Sequence, residues 1–357
     1  MPRMILSPTK RLMIRNAKIK KTWNRLIQVA ILILAYGFIY KEVFYKRNLV
    51  QILQELKDDF SRPGFPLLML LLTCLLWFNW AIESVKWKYL MAKIDLVGFW
   101  KAYQAVLAGV TISIFTPNRV GEYFGRVFIL NSSWRVEGIL VTILGSMGQL
   151  LVTIITGSIA LLAFLPRFLV HYGNFNGYLY YTLLAVIVGF NLLILGFYLN
   201  ISLLSGWKEK MQQNRLRHVQ KFFHVFSFYH TRELLNVLFL SLLRYAVFSF
   251  QFYLLLRIFA VPVSLPAAFM LISLVYFVMA VIPTVALTEL GIRGSIALYI
   301  FGIYFENPAG LPESFRFGIL AATTVLWAVN LGIPALVGSV FVFHLKFFRK
   351  LPNNRDS

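Results

Sequence analysis

Cysteine is nearly absent: Cys74 stands alone in a chain of 357 residues. One thiol makes no internal disulfide, so cysteine defines neither a redox compartment nor a metal site. Acid is scarce as well, with 14 Asp+Glu against 35 Lys+Arg, and charged residues of all kinds reach only 14%. A soluble domain carries about 25%, so a water-soluble globule is excluded. Catalytic and nucleotide signatures are missing too, for there is no HExxH, CxxC, GxSxG or GxxxxGK[ST]. The histidines, His171, His218, His224, His230 and His344, fit no metal-ligand spacing. No metal and no cofactor is therefore expected.

What the chain has in abundance is apolar sequence, 59% of it, with a mean hydropathy of +0.71. A helix crosses the hydrocarbon with about 20 mostly apolar residues. Six segments are long enough: 24–44, 66–88, 138–165, 177–204, 233–259 and 316–345. Two further stretches, 97–130 and 265–304, are each broken near the middle, by Pro117 and Pro283. A proline inside a helix removes a backbone hydrogen bond, so these read as broken re-entrant hairpins or as pairs of short crossing helices.

The net charge of +21 would raise nucleic acid for a soluble protein. Here the charges flank apolar runs, which makes them orientation signals and argues against a nucleic-acid partner. With the N-terminus cytoplasmic, segments 1–25, 86–101, 205–232 and 346–357 face the cytoplasm with 22 basic and 3 acidic residues. The outer segments 41–65, 166–175, 260–264 and 305–315 then carry 6 of each sign. This asymmetry predicts a multi-pass protein of the cytoplasmic membrane with both termini inside. The first run, from Leu26 to Tyr40, lacks a small-residue cleavage site after it and reads as an uncleaved span. Leu49, Ile52, Leu53, Leu56 and Phe60 recur at helical spacing and predict a helix lying on the outer surface.

An internal repeat underlies the pattern. The second span starts near 66 and the fifth near 233, an offset of 167 that also separates Glu122 from Glu289. Each half holds a proline break, a glutamate five or six residues later, and an arginine four residues after that, Arg126 or Arg293. Because the halves start on opposite faces, they read as inverted repeats, an arrangement that in transporters places the substrate site on broken helices near the midplane. The chain thus divides into a basic tail 1–25, a first span with outer helix 26–65, a first repeat 66–204, a basic loop 205–232, a second repeat 233–345 and a basic tail 346–357.

Residues i and i+4 share a helix face, so Glu122 can neutralise Arg126 and Glu289 can neutralise Arg293. Each pair could simply satisfy itself. Ionisable groups at membrane depth are nevertheless rare and mark substrate or ion pathways. Arg244 lies about eleven residues, or roughly 17 Å, into the fifth span, out of easy reach of either surface. It pairs with a carboxylate of another helix or meets a ligand. Arg119 follows the first break and faces a headgroup or the interface. Asn79, Glu83 and Lys86 form a polar ladder at the inner end of the second span that reads as interfacial snorkelling. Gly121, Gly125, Gly291 and Gly294 would allow close approach.

The run Pro117-x-Arg119-x-Gly121-Glu122 followed by Arg126, with Leu290-Gly291-Ile292-Arg293 after a proline, resembles the lysylphosphatidylglycerol synthetase transmembrane-region family of flippase-like membrane proteins. The resemblance runs from the second span to the C-terminus. It implies an integral membrane protein that moves a lipid between leaflets. Its best-known members carry an attached soluble aminoacyl-transferase domain that is missing here, so lipid aminoacylation is not implied. Two positions depart from the family: Gly294 stands where a glutamate often follows the Gly-x-Arg, and Gly148-Gln149 where a Glu-Arg pair is found.

The expectation is an all-α polytopic membrane protein, not an enzyme, that translocates an anionic phospholipid or polyprenyl phosphate. Arg119, Glu122, Arg126, Arg244, Glu289 and Arg293 are its candidate substrate-binding residues, with Arg126 and Arg293 converging between the hairpin tips. Guanidinium suits phosphate, and the glutamates would hold the arginines and titrate with a proton or ion. The alternatives are a secondary transporter of a small polar solute and a membrane partner or enzyme of lipid-linked envelope synthesis. Oligomeric state is left open.

Overall fold

The computed structural model describes residues 64–130, 134–171, 177–201, 225–283, 286–305 and 311–343, with 22–23, 25–30, 33, 37 and 54 near the N-terminus. Among them regular structure is entirely helical. In chain order the helices are α1 (Phe65–Met91), α2 (Phe99–Ser113), α3 (Gly121–Val127), α4 (Arg135–His171), α5 (Gly177–Leu199), α6 (Thr231–Ile258), α7 (Leu265–Val281), α8 (Ala286–Phe305), α9 (Glu313–Trp327) and α10 (Ile333–Val342). A π turn, Ala328–Gly332, joins α9 to α10 in one apolar rod.

Five of these rods are long and apolar enough to span a bilayer: α1, α4, α5, α6 and α9 with α10. They fall on five of the six expected spans, and the chain is an all-α polytopic membrane protein. Most of the expected first span, of the outer surface helix around Leu49–Phe60, of the basic loop 205–232 and of the basic tail 1–25, and all of the tail 346–357, lie outside the described residues.

Local chemistry sets the helix ends. Gly64 at φ 85 supplies a left-handed turn before α1, whose first turn holds Pro66, where the missing N–H costs nothing. The Glu233 carboxylate caps α6 by accepting the His230 backbone N–H at 2.9 Å. At Pro117 and Pro283 the helices stop as expected.

The first broken stretch turns back on itself. The seven residues of α3 run only about 10 Å, too short to cross. It lies so close along α2 that a Cβ on Gly125 would stand 2.5 Å from the Gly109 Cα, and one on Gly121 would stand 2.6 Å from the Ile112 carbonyl oxygen. Gly294 is also close-packed, against Leu320. Gly291, expected to serve a close approach, has open space where its Cβ would be. On its other side α2 packs against α10, where the Thr111 hydroxyl donates to the Ala335 carbonyl at 2.8 Å. A Cβ on Gly338 would sit 2.1 Å from the Leu107 carbonyl oxygen. Gly338→Val is therefore expected to push α10 off the hairpin at a cost of about 1–3 kcal/mol. Thermal unfolding in detergent reads this; an unchanged midpoint would refute the contact.

α1 and α6 run antiparallel. Their contacts step in opposite directions: Glu83 with Arg244 at 3.2 Å, the Asn236 amide donating to the Tyr89 hydroxyl at 3.1 Å, and Lys93 just past α1 with Glu233 at 2.6 Å. The α2–α3 hairpin therefore leaves one end of this helix pair and the α7–α8 hairpin leaves the other. The core divides the same way. One apolar cluster gathers Trp87, Leu90, Leu107, Val110 and Leu144 around the first hairpin. A second gathers Phe252, Leu271, Ile272, Phe301 and Leu326 around the other.

Candidate functional site: a charged cavity between the hairpins

Charged side chains collect where the two hairpins approach. On α1, Asn79, Glu83 and Lys86 are 0%, 4% and 1% exposed, so the ladder expected to snorkel to the surface is instead buried. The reason is tertiary: α3, α6 and the π turn cover this face of α1. Glu83 accepts from Arg126 Nη1 at 2.9 Å, pairs with Lys86 Nζ at 2.8 Å and with Arg244 Nη1 at 3.2 Å. One carboxylate thus ties α1 to α3 and α6. Arg126 also pairs with Glu122 one turn earlier, as the spacing predicts. Its stem crosses α2 at Gly109, where a Cβ would come within 3.0 Å of Arg126 Cγ.

Arg244 finds a carboxylate of another helix, one of its two expected fates. Its guanidinium also lies 5.1 Å from the centre of the Trp80 ring, a cation–π contact. Gln149, at the departure from the family pattern on α4, presents Oε1 3.5 Å from Arg244 Nη1. Asn79 donates to Asn330 Oδ1 at 3.0 Å, which anchors α1 to the π turn.

The second group of charges joins the hairpin tips. Thr116 shapes the first tip, its hydroxyl donating to the Ser113 carbonyl at 3.0 Å and accepting the Gly121 N–H at 2.9 Å. Asn118 and Arg119 take left-handed backbone at φ 48 and φ 57. Arginine adopts this conformation at a cost of roughly 1–2 kcal/mol, and such strain concentrates at functional sites. It aims the Arg119 side chain across the gap, where Nη2 donates to both carboxylate oxygens of Glu289 at 2.9 Å. Glu289 also holds Arg293 one turn further along α8.

Between the hairpins lies a cavity of about 690 Å³. Arg119, Arg244, Glu289 and Arg293 are its charged lining, and Ile143, Met147, Leu150, Phe248 and Met279 are among its apolar lining residues. Four of the six candidate residues therefore share one space. Glu122 and Arg126 stand behind it in the Glu83 cluster, linked to the cavity through Arg244. The expected convergence of Arg126 with Arg293 is replaced by that of Arg119 with Glu289. Arg126 sits a turn and more beyond the tip and turns toward α1, whereas the left-handed tip projects Arg119. Glu83, Lys86 and Asn330 escaped the sequence reading as parts of this assembly. The i, i+4, i+7 spacing of Asn79, Glu83 and Lys86 was the available signal.

A polytopic helical membrane protein with a charged cavity between two broken hairpins is the class these features define. The family described as the lysylphosphatidylglycerol synthase TM region matches residues 25–311, most of the chain, and the protein belongs to that family. No curated protein and no solved structure matches it. The family match covers both hairpins and ends before α9 and α10, which bring Trp327, Asn330 and Leu331 to the cavity.

Proposed function

We propose that this protein translocates an anionic lipid, a phospholipid or a polyprenyl phosphate, between the leaflets of the cytoplasmic membrane. The observation that carries the reading is the cavity itself: three guanidiniums, a carboxylate and several large apolar side chains line one space between two hairpins that leave opposite ends of an antiparallel helix pair. A lipid headgroup needs the charged groups and its chains the apolar ones. Membership of a family associated with lipid chemistry supports the same direction.

In this reading the two halves are inverted repeats, each contributing span, broken hairpin and long helix, with the headgroup passing near the midplane. Both termini face the cytoplasm, following the charge asymmetry. The Arg119–Glu289 contact closes the path between the tips, and an arriving phosphate competes with Glu289 for Arg119. With no nucleotide motif in the chain, the lipid gradient or a proton or ion gradient supplies the drive, and Glu289 is the carboxylate placed to sense it.

The test is loss of a fluorescent lipid from the outer leaflet of proteoliposomes. Anionic headgroups are expected to move about tenfold faster than zwitterionic ones, since a charge-assisted hydrogen bond is worth that much or more. Arg293→Lys keeps the charge and loses the planar fork, so it should slow exchange more than it lowers thermal stability. Equal rates for both headgroups, unchanged in Arg293→Lys, would overturn the arginine site.

A further inference from the structure

The charge on the cavity wall does not cancel. Among the described lining residues, Arg119, Arg244 and Arg293 stand with Glu289 as the one carboxylate, an excess of two positive charges. The adjoining cluster leaves the remainder unchanged. Lys86 and Arg126 join through ion pairs with Glu83 and Glu122, so that five cations meet three carboxylates. Uncompensated charge in a membrane interior is expensive, and a site that carries it is built for a counter-charge.

Hydrogen-bonding capacity points the same way. Each guanidinium carries five N–H donors, and the three that line the space offer far more than the Glu289 carboxylate, already engaged by Arg119 and Arg293, can accept. The space therefore suits two negative charges and several acceptor oxygens on one compact group.

We propose that the cavity takes a dianionic phosphomonoester, a conclusion that rests on the translocase reading only for the lipid-borne form of that group. A phosphomonoester presents three terminal oxygens and, with a second pKa near 6, carries close to two charges at neutral pH. Both excess positive charges are then matched, and each guanidinium fork has an oxygen edge to meet. A phosphodiester brings one charge and two terminal oxygens, which leaves a guanidinium unmatched. A zwitterionic headgroup adds an ammonium beside three arginines.

The experiment compares three probes on the purified protein in phosphatidylcholine liposomes at about pH 8.5, well above a second pKa near 6 that the bilayer surface raises. Two are fluorescent lipids with the same chains, phosphatidic acid as monoester and phosphatidylglycerol as diester. The third is radiolabelled glycerol 3-phosphate, a soluble monoester. Phosphatidic acid is expected to exchange about tenfold faster than phosphatidylglycerol. Arg293→Gln, which removes one of the two excess charges, should shrink that ratio by slowing phosphatidic acid most. If that variant fails to run as a single monodisperse species, Arg119→Gln takes its place, and the ratio in the unaltered protein stands by itself. Equal rates for the two lipids would overturn the dianion site while leaving lipid translocation intact. Uptake of glycerol 3-phosphate without lipid movement would support the dianion site and overturn the lipid reading. Movement of none of the three would overturn both.

Discussion

Glu83→Ala is expected to abolish the folded protein. Glu83 faces Lys86, Arg126 and Arg244, all within 3.2 Å of its carboxylate. Without it, Glu122 alone would balance the buried Lys86 and Arg126 and the half-buried Arg244. Removing one partner of a buried ion pair costs about 3–5 kcal/mol, a large share of the stability of a domain. Glu83→Gln should fail in the same direction, because an amide satisfies hydrogen bonds and leaves the charge. Combining Glu83→Gln with Lys86→Met removes one cation and should recover part of the loss. Yield of monodisperse protein in detergent and its unfolding midpoint give the readout. A Glu83→Ala protein as stable as the parent would mean that this carboxylate does not tie α1 to α3 and α6.

Arg119→Gln should do the reverse, sparing the fold and removing function. The Arg119 side chain is 39% exposed, so its contact with Glu289 contributes no more than about 1 kcal/mol to stability. Glu289 keeps Arg293 as a partner within α8. The strained backbone at the tip is relieved little by the change, since glutamine also resists φ 57. A lost charge-assisted contact to substrate corresponds to about 10- to 100-fold in exchange rate. Proteoliposome exchange beside thermal unfolding separates the two effects. A variant destabilised by several kcal/mol with a full exchange rate would assign Arg119 to structure and remove it from the site.

Much of this site could be read in the chain, and the parts that could not share a cause. Arg126 and Arg293 were paired with Glu122 and Glu289 from spacing alone, because an i, i+4 pair depends only on the pitch of one helix. The depth of Arg244, out of easy reach of either surface, is legible for the same reason, because rise per residue is likewise local. The ladder Asn79, Glu83 and Lys86 is buried rather than interfacial because its surroundings depend on which neighbours cover α1. Nothing in a linear pattern distinguishes a helix end that meets the interface from one roofed by α3, α6 and the π turn. Arg119 carried two readings until the tip's left-handed turn aimed it at Glu289, 170 residues away.

By itself, then, the sequence determined the membrane as solvent, five of the spans that the structure describes, the two proline breaks and the in-helix ion pairs. These follow from hydrophobic length, backbone geometry and near-neighbour charge, all short-range properties. Tertiary structure alone decided that Glu83 is shared among three cations, that Arg119 rather than Arg126 meets the second hairpin, and that the cavity wall keeps two unmatched positive charges. Each of these depends on which helix faces which, and that is settled by the close glycine contacts of α2 with α3 and α10 and by the antiparallel pairing of α1 with α6. Such packing is a property of the whole fold, where side chains distant in the chain compete for the same buried space.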